Sequence, residues 1–161
     1  MSETKKKIIM VCSGGGHLSE ILELEELFEK YDYLLVTEKT PFTSYYADSY
    51  NVEFINPRSN GKQRFLSFYM TILTNFFHSA KILIKHYPKA IISTGSHTAI
   101  PMCLLGRLLR IKIVFILSYS RVNTCAKSAD VIYRIANKFI VQWPGAMVHY
   151  KKALFLGGIY R

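Results

Sequence analysis

Short apolar runs alternate along the chain with longer segments of helical periodicity. The runs are rich in Ile, Val, Leu and Phe and stop at polar or glycine residues, which is typical of strands buried on both faces of a sheet. Because helical segments separate them, the pattern predicts an α/β fold, a Rossmann-like parallel sheet with helices on both faces. At 161 residues we expect a single domain over 1–161. The predicted strands cover residues 8–11, 33–36, 52–55, 90–93, 112–117, 139–141 and 153–156.

The first apolar run ends in a glycine-rich turn, Ser-Gly-Gly-Gly-His at 13–17, which leads into a helical pattern. Consecutive glycines allow positive φ and a close approach of the backbone to a ligand. The first N–H groups of the helix would point into the turn. We therefore predict that Ser13, Gly14, Gly15 and Gly16 bind a substrate carrying a phosphate or a polyol, and that His17 is the catalytic base. The alternative is an ordinary tight turn in which His17 is only a first-turn helix residue.

The turn differs from two well-known nucleotide-binding motifs. The dinucleotide fingerprint needs another glycine near position 19, where this chain has Ser19, and a P-loop needs Gly-Lys followed by Ser or Thr. NAD is therefore not expected, and no cofactor or metal is predicted. The three cysteines, Cys12, Cys103 and Cys125, have no metal-ligand spacing and lie in or beside apolar segments, so we expect reduced core thiols.

Polar residues follow two later strands in the same way. The run at 90–93 leads into Thr-Gly-Ser-His, and the run at 112–117 into Ser-Tyr-Ser-Arg. Because the carboxyl ends of parallel strands meet at one edge of the sheet, these residues are expected to share a crevice with the glycine turn. Gly95, Ser96, His97, Ser118 and Arg121 are therefore candidate substrate-binding residues, with His97 a second candidate base and Arg121 a phosphate clamp. A local helix-end hydrogen bond for His97 and a plain surface charge for Arg121 are the alternatives.

Charge is distributed unevenly along the chain. Ten of the 11 acidic residues precede Phe54, whereas residues 54–161 contain 16 Lys and Arg and a single acid, Asp130. Basic surfaces suit nucleic acid, anionic lipid or phosphorylated substrates, although scattered solvated lysines are the simpler explanation. The chain has no nucleic-acid motif and its aromatic residues do not alternate with Lys and Arg, so no nucleic-acid partner is expected. Five acids decorate a single predicted helix: Glu20, Glu23, Glu25, Glu26 and Glu29.

Residues 65–80 contain no charged side chain. As a helix over about 64–86, the segment has apolar residues on more faces than a surface helix needs. Polar residues such as Asn75 interrupt it, and a span takes about 20 apolar residues, so we predict a helix that lies in the membrane interface. Lys62, Arg64, Lys81 and Lys85 are expected to meet the phosphates of an anionic membrane surface. The alternative is a helix buried between the sheet and a partner protein. The predicted apolar stripe consists of Phe65, Tyr69, Ile72, Phe76, Ala80 and Leu83.

Four segments together resemble a known family. They are Ser-Gly-Gly-Gly-His-Leu-Ser-Glu at 13–20, Val-Thr-Glu-Lys-Thr at 36–40, Ile-Ile-Ser-Thr-Gly at 91–95 and Phe-Ile-Val-Gln-Trp-Pro at 139–144. From about Lys7 to Gly158 the chain resembles the Alg14-like proteins, whose bacterial relatives are polysaccharide biosynthesis proteins of the CpsF, EpsE and PssD type. The resemblance implies a single domain of the kind found at the N-terminal, acceptor side of a GT-B glycosyltransferase.

The resemblance also implies partners and site residues. A separate Alg13-like chain would supply the nucleotide-sugar half, and the pair would transfer a sugar from a UDP-sugar to a lipid-pyrophosphate-linked saccharide. The turn at 14–17 and Gly95 match the family's two glycine sites, and Ser118 and Arg121 match its Ser and Arg after the fifth strand. The family usually has Glu before that Ser, whereas this chain has Leu117, which makes His17 the main candidate base.

We therefore expect an acceptor-binding, membrane-associating subunit of a two-chain hexosyltransferase in capsule or exopolysaccharide synthesis. It would be inactive without its partner and peripheral on the cytoplasmic face of the membrane. The basic N-terminus leads into a short strand and then glycines, so no signal peptide is expected. A non-catalytic scaffold or activator for an Alg13-like catalytic chain is the alternative function.

Overall fold

The computed structural model describes residues 4–57 and 64–160, and the strands in this part of the chain form one seven-stranded sheet. They are β1 (Lys7–Cys12), β2 (Asp32–Glu38), β3 (Val52–Ile55), β4 (Ala90–Gly95), β5 (Lys112–Ile116), β6 (Lys138–Val141) and β7 (Leu154–Phe155). Their order in the sheet is β3-β2-β1-β4-β5-β6-β7, and each neighbouring pair is parallel. The predicted strands are confirmed, with bounds that differ by one or two residues.

Helices cover both faces of this sheet. The helices among the described residues are α1 (Gly16–Leu22), α2 (Glu25–Lys30), α3 (Pro41–Ser44), α4 (Arg64–His86), α5 (Ala99–Leu108) and α6 (Lys127–Tyr133), with 3-10 turns at Tyr45–Asp48 and Pro144–Val148. One face of β1 packs with α1 and α2, around Met10 and Leu18. Residues from α4, α5 and α6 join the core on the other face, among them Leu83, Met102 and Ile132. The predicted Rossmann-like fold is confirmed.

β1 is the strand at which the order of the sheet reverses. It pairs with β2 on one side and with β4 on the other, and residues 9–12 are fully buried. In open sheets of this kind, ligands bind beyond the carboxyl ends of the strands at such a reversal. The glycine turn that follows β1 therefore lies where a ligand site is expected.

Two predictions are wrong in this part of the fold. The five acids assigned to one helix are divided between α1 and α2, because the chain leaves helical geometry at Leu24 (φ −87°, ψ 42°). Glu20, one of the five, is buried.

Cys12 and Cys103 are core thiols as predicted, and burial raises the pKa of each to about 12. Cys125 is instead exposed.

The long helix α4 turns its apolar residues outward. Met70, Leu73, Phe77 and Ile84 are all exposed, and Phe77 is 62% exposed. Only part of the predicted apolar stripe faces the core. Leu83 is buried, whereas Tyr69, Ile72 and Phe76 are exposed. The side chains of Phe65 and Phe68 lie outside the described residues. None of the helices in the described part of the chain combines the length and apolar content needed to cross a bilayer.

Polar residues lie on the buried side of the same helix. Asn75 and Ser79 are buried there beside Ile82 and Leu83. Asn75 Oδ1 accepts a hydrogen bond from the Asn56 N–H at 2.9 Å, and Asn75 Nδ2 donates to the Asn56 carbonyl at 2.9 Å. Asn75, one of the polar residues that interrupt the apolar run in the sequence, therefore attaches α4 to the chain just beyond β3.

The four basic residues predicted to meet lipid phosphates differ in their surroundings. Lys81 is exposed. Lys85 forms an ion pair with Glu53, with Nζ 2.6 Å from Oε1, so it is engaged within the protein instead. Lys62 and the side chain of Arg64 lie outside the described residues.

Candidate functional site at the carboxyl edge of the sheet

The turn after β1 is tied to the end of β4. The Ser13 N–H donates to the Gly95 carbonyl at 2.9 Å, and Thr94 Oγ1 donates to the His17 carbonyl at 2.7 Å. Gly15 precedes α1 at φ +73°, in the left-handed region that favours glycine, and a Cβ there would meet no atom within 4 Å. The turn is thus fixed at both ends while its middle is open to a ligand.

The imidazole ring of His17 lies against the backbone of Gly95. A Cβ at Gly95 would be 3.0 Å from Cε1 and 3.3 Å from Nδ1 of this ring, and Gly95 has φ +113°, so glycine alone allows this contact without strain. Nδ1 is buried and has no hydrogen bond among the described residues, so Nε2 is the candidate to accept a proton. Burial lowers the pKa of His17 below its usual 6.5; Glu20 opposes this effect and Arg121 adds to it. The ring is therefore neutral near pH 7, as a general base must be.

The end of β4 is connected by polar contacts to the ends of β1 and β2. Ser96 Oγ donates to Ser13 Oγ at 3.2 Å and lies 3.0 Å from His97 Nδ1. The other ring nitrogen of His97, Nε2, is 3.8 Å from Oε1 of Glu38 at the end of β2. A histidine facing a carboxylate is a candidate acid–base pair. The sequence pattern indicated His97 but not Glu38, because chain order alone does not bring the ends of β2 and β4 together.

The segment after β5 is held by a carboxylate that the sequence pattern did not reveal. Glu20 is 3% exposed, and its Oε1 accepts from Ser118 Oγ at 2.7 Å and from the Tyr119 N–H at 2.9 Å. Its position three residues after His17 is the signal that could have found it, since residues three apart share a helix face. Arg121, farther along this segment, is exposed and acts electrostatically on His17.

Leu117, where the family usually has Glu, belongs to the core. It is 2% exposed, and its carbonyl accepts from Gln142 Nε2 at 2.9 Å. The next residue of the Gln-Trp-Pro motif, Trp143, donates from Nε1 to the Tyr119 carbonyl at 2.7 Å. This motif therefore supports the segment 118–121 from the side of β6.

The structure brings the predicted site residues to one edge of the sheet. Residues 13–17 and 94–97 are in direct contact, and Ser118 joins them through Glu20. Arg121 stands apart, with Nη1 3.5 Å from Thr124 Oγ1. Within the described ranges, no three His, Cys, Asp or Glu side chains cluster in a way that could hold a metal ion. The arrangement offers an open turn and a neutral imidazole, with the positive charge of Arg121 farther along the segment 118–121, and these features suit proton transfer from an anionic substrate.

Two solved structures illustrate the relationship of the fold to known proteins. MurG of Acinetobacter baumannii matches with a TM-score of 0.71 at 21% identity, over 86% of this chain and 42% of its own. UDP-N-acetylglucosamine 2-epimerase of Rickettsia bellii matches with a TM-score of 0.73 at 12% identity, over 96% of this chain and 45% of its own. The chain thus spans less than half the length of either protein. These similarities support the predicted GT-B-type fold.

Two relatives are similar in sequence over nearly the whole chain. The UDP-N-acetylglucosamine transferase subunit ALG14 of Rattus norvegicus is 27% identical over 183 residues, covering 94% of this chain and 82% of the rat protein. The alg14 subunit of Schizosaccharomyces pombe is 26% identical over 174 residues, covering 95% and 83%. The model of the family described as "Oligosaccharide biosynthesis protein Alg14 like" matches residues 8–159. Since this match includes the glycine turn, all three polar strand ends and the Gln-Trp-Pro motif, the chain belongs to the Alg14-like family.

Proposed function

We propose that this chain is the acceptor-binding, membrane-associating subunit of a two-chain glycosyltransferase. The names of its relatives, UDP-N-acetylglucosamine transferase subunits, support a UDP-sugar as donor and make UDP-N-acetylglucosamine the first donor to test. The acceptor is a lipid-pyrophosphate-linked saccharide used in bacterial-type polysaccharide synthesis. An Alg13-like chain binds the nucleotide sugar, and the pair works at the cytoplasmic face of the membrane.

The observation that carries this proposal is the His17 ring, held against Gly95 beside an open glycine turn. In the reaction, His17 Nε2 takes the proton of the acceptor hydroxyl while that oxygen bonds to the anomeric carbon of the sugar and UDP leaves. Burial keeps the pKa of His17 low, so the ring is free to accept this proton at neutral pH. Arg121 supplies positive charge for the acceptor's pyrophosphate.

The names of its relatives support a division of labour between two subunits, because they are called subunits of a UDP-N-acetylglucosamine transferase. The fold of this chain matches 42% of the MurG chain. A transferase of this architecture needs a second domain to bind the donor across the crevice. The partner chain would supply that domain.

The test is reconstitution of transfer from purified chains. We expect negligible transfer from UDP-N-acetylglucosamine to a lipid-pyrophosphate saccharide with this chain alone, and robust transfer with its Alg13-like partner. In that complex, His17→Gln should reduce the rate by about 10²–10⁴, and the acidic limb of the pH profile should disappear. His149→Gln, a change at an exposed histidine after the turn Pro144–Val148, is the matched control.

Three outcomes would count against parts of this proposal. Turnover by the single chain would remove the need for a partner. A change of only a few-fold for His17→Gln, with the complex still assembled, would favour the scaffold function. No transfer by the wild-type pair with any UDP-sugar or polyprenyl-pyrophosphate saccharide would refute the transferase function itself.

Membrane association is proposed from the outward apolar face of α4. At about 25 cal/mol per Å² of buried apolar surface, a few side chains such as Phe77 and Ile84 contribute several kcal/mol on entering the interface. Lys81, exposed on the same helix, adds about 1 kcal/mol near anionic lipid. This is enough for peripheral binding that places the crevice near a lipid-linked acceptor.

Sedimentation with anionic liposomes tests this attachment. We expect the triple variant Phe77→Ser, Ile84→Ser, Lys81→Glu to remain in the supernatant. The control Val148→Ser, Leu156→Ser removes two side chains that are equally exposed but lie near β7, and it should still sediment. If the wild type never binds, or the triple variant binds as well as the wild type, α4 is a protein interface instead.

A further inference from the structure

Glu20 is a buried glutamate whose two carboxylate oxygens have different surroundings. It lies on α1, one turn after His17, and is 3% exposed. Oε1 accepts two hydrogen bonds, from Ser118 Oγ at 2.7 Å and from the Tyr119 N–H at 2.9 Å. Oε2 is also buried and has no hydrogen-bond partner among the described residues.

This arrangement is costly for a residue with no role. A buried charged group is disfavoured unless its hydrogen-bonding capacity is satisfied, and half of this carboxylate is not. A glutamine, or an apolar side chain of similar size, would fill the same space at lower cost. The presence of a carboxylate here therefore points to a use for its charge as well as its shape.

The two donors to Glu20 belong to a segment that is distant in sequence. Ser118 and Tyr119 lie 98 and 99 residues farther along the chain, and they begin the segment that carries Arg121. Glu20 thus joins the helix of the candidate base to the segment of the candidate phosphate clamp. The Trp143 indole supports that segment from the other side, through the Tyr119 carbonyl at 2.7 Å.

We propose that Glu20 is a positioning residue for the transfer reaction: it fixes the segment 118–121 against α1 and maintains a negative charge beside His17. This inference rests on the proposed function, because it assigns Glu20 a task in that reaction. Glu20 does not touch the substrate, since both of its oxygens face protein.

Several groups act electrostatically on the His17 ring, and Glu20 is the negative one. Glu20 on α1 favours the protonated ring, as does the backbone of Thr94 in β4, whereas Arg121 after β5 disfavours it. Burial has the largest effect and lowers the pKa. Glu20 therefore keeps a partly buried imidazole basic enough to accept a proton, and it stabilises the imidazolium that forms when the proton arrives.

Glu20→Gln separates the charge from the hydrogen bonds. The amide oxygen can still accept from Ser118 and Tyr119, but the negative charge is gone. In the reconstituted complex we expect Glu20→Gln to lower the transfer rate at the plateau of the pH profile. We also expect the acidic limb of the kcat/KM profile to move to lower pH. Glu20→Ala, which also releases the segment, should cost up to about 100-fold in kcat. Glu23→Gln removes an exposed charge from the C-cap of the same helix and should change neither quantity.

A second measurement does not depend on activity. NMR titration of the labelled histidines in the isolated chain should show the His17 midpoint at lower pH in Glu20→Gln, but not in Glu23→Gln. The Tyr119 amide should exchange with solvent faster in Glu20→Ala. If Glu20→Gln does not fold, Ser118→Ala removes one of the two donors and should also speed this exchange.

The results distinguish failure of this inference from failure of the proposed function. The inference is overturned if the NMR titration midpoint of His17 is unchanged in Glu20→Gln. It is also overturned if Glu20→Gln lowers the transfer rate but leaves the acidic limb of the pH profile at the same pH, because Glu20 would then be only a structural residue. If the wild-type complex transfers no sugar while the NMR shifts are observed, the proposed function is wrong, and Glu20 only sets the basicity of His17.

Discussion

Replacing Asn75 by Ala should loosen α4 from the body of the protein. Asn75 is 2% exposed, and its side-chain amide forms two hydrogen bonds of 2.9 Å with the backbone N–H and carbonyl of Asn56. The side chain thus provides hydrogen-bond partners for the N–H and carbonyl of Asn56, just beyond β3, as a neighbouring strand would. Alanine removes both bonds and leaves the helix with its remaining apolar contacts.

The expected cost follows from those two bonds. Each contributes about 1 kcal/mol net, and Asn56 is only partly buried, so water can reach its freed groups. We therefore expect the free energy of unfolding to fall by about 2 kcal/mol. For a chain of 161 residues this corresponds to a decrease in Tm of about 4–8 °C. Asn75→Asp keeps the acceptor but places a carboxylate against the Asn56 carbonyl, so it should be at least as damaging.

Urea unfolding followed by circular dichroism measures this loss. His78→Ala, a change at an exposed residue of the same helix, is the control and should alter stability by no more than about 0.5 kcal/mol. If Asn75→Ala unfolds at the same urea concentration as the wild type, the pair with Asn56 does not hold α4, and the role assigned to this polar residue is wrong.

Three further predictions concern the site and the core. Gly95→Ala should cost about 1–2 kcal/mol through its φ of +113°, and should slow transfer by displacing the His17 ring; a wild-type Tm and rate would contradict the close contact. Because burial lowers the pKa of folded His17 below its unfolded value of 6.5, protonation favours the unfolded chain, so stability should fall as the pH drops below about 6.5. Unfolding at pH 7.5 and 5.5 should show a smaller pH effect in His17→Gln, and an equal effect would refute this. Tyr150→Phe should cost about 1–2 kcal/mol in urea unfolding, because the hydroxyl donates to Asp130 at 2.8 Å and accepts from the Ala126 N–H at 3.2 Å; a neutral change would show that water replaces these bonds.

The sheet and its crevice could be predicted because the signals for them are local. Strands such as β1 are buried on both faces and therefore appear as continuous apolar runs that stop abruptly. Parallel pairing then brings the ends of β1, β4 and β5 to one edge, so the clusters at 13–17, 94–97 and 118–121 could be grouped from chain order alone.

The orientation of side chains within the helices could not be predicted in the same way. For α4, the apolar residues exceed what one buried face needs, and periodicity does not show that Asn75 is the inward one. The buried position of Glu20 depends on donors almost 100 residues away, which no local pattern reports. Glu38 lies at the end of β2, and His97 follows β4, so that β1 lies between the two strands and their proximity depends on the strand order.

The strand order also gives the molecule an electrical polarity. Residues 4–55, which form β1 to β3, contain five Lys and nine Asp or Glu, a net charge of −4; residues 90–160, which form β4 to β7, contain nine Lys or Arg and one Asp, a net charge of +8. Because β1 and β4 are neighbours at the centre, these two halves lie side by side, and the net charge of the two counted segments changes sign across the width of the sheet. Near an anionic surface such an asymmetry of charge produces a torque that turns the β4–β7 side towards the negative charges, together with α5 and the helix α4 that packs against α5. For the proposed membrane attachment, the direction of approach would therefore be set before any apolar contact forms. Raising the ionic strength should then slow the first encounter with anionic lipid more than it weakens the bound state.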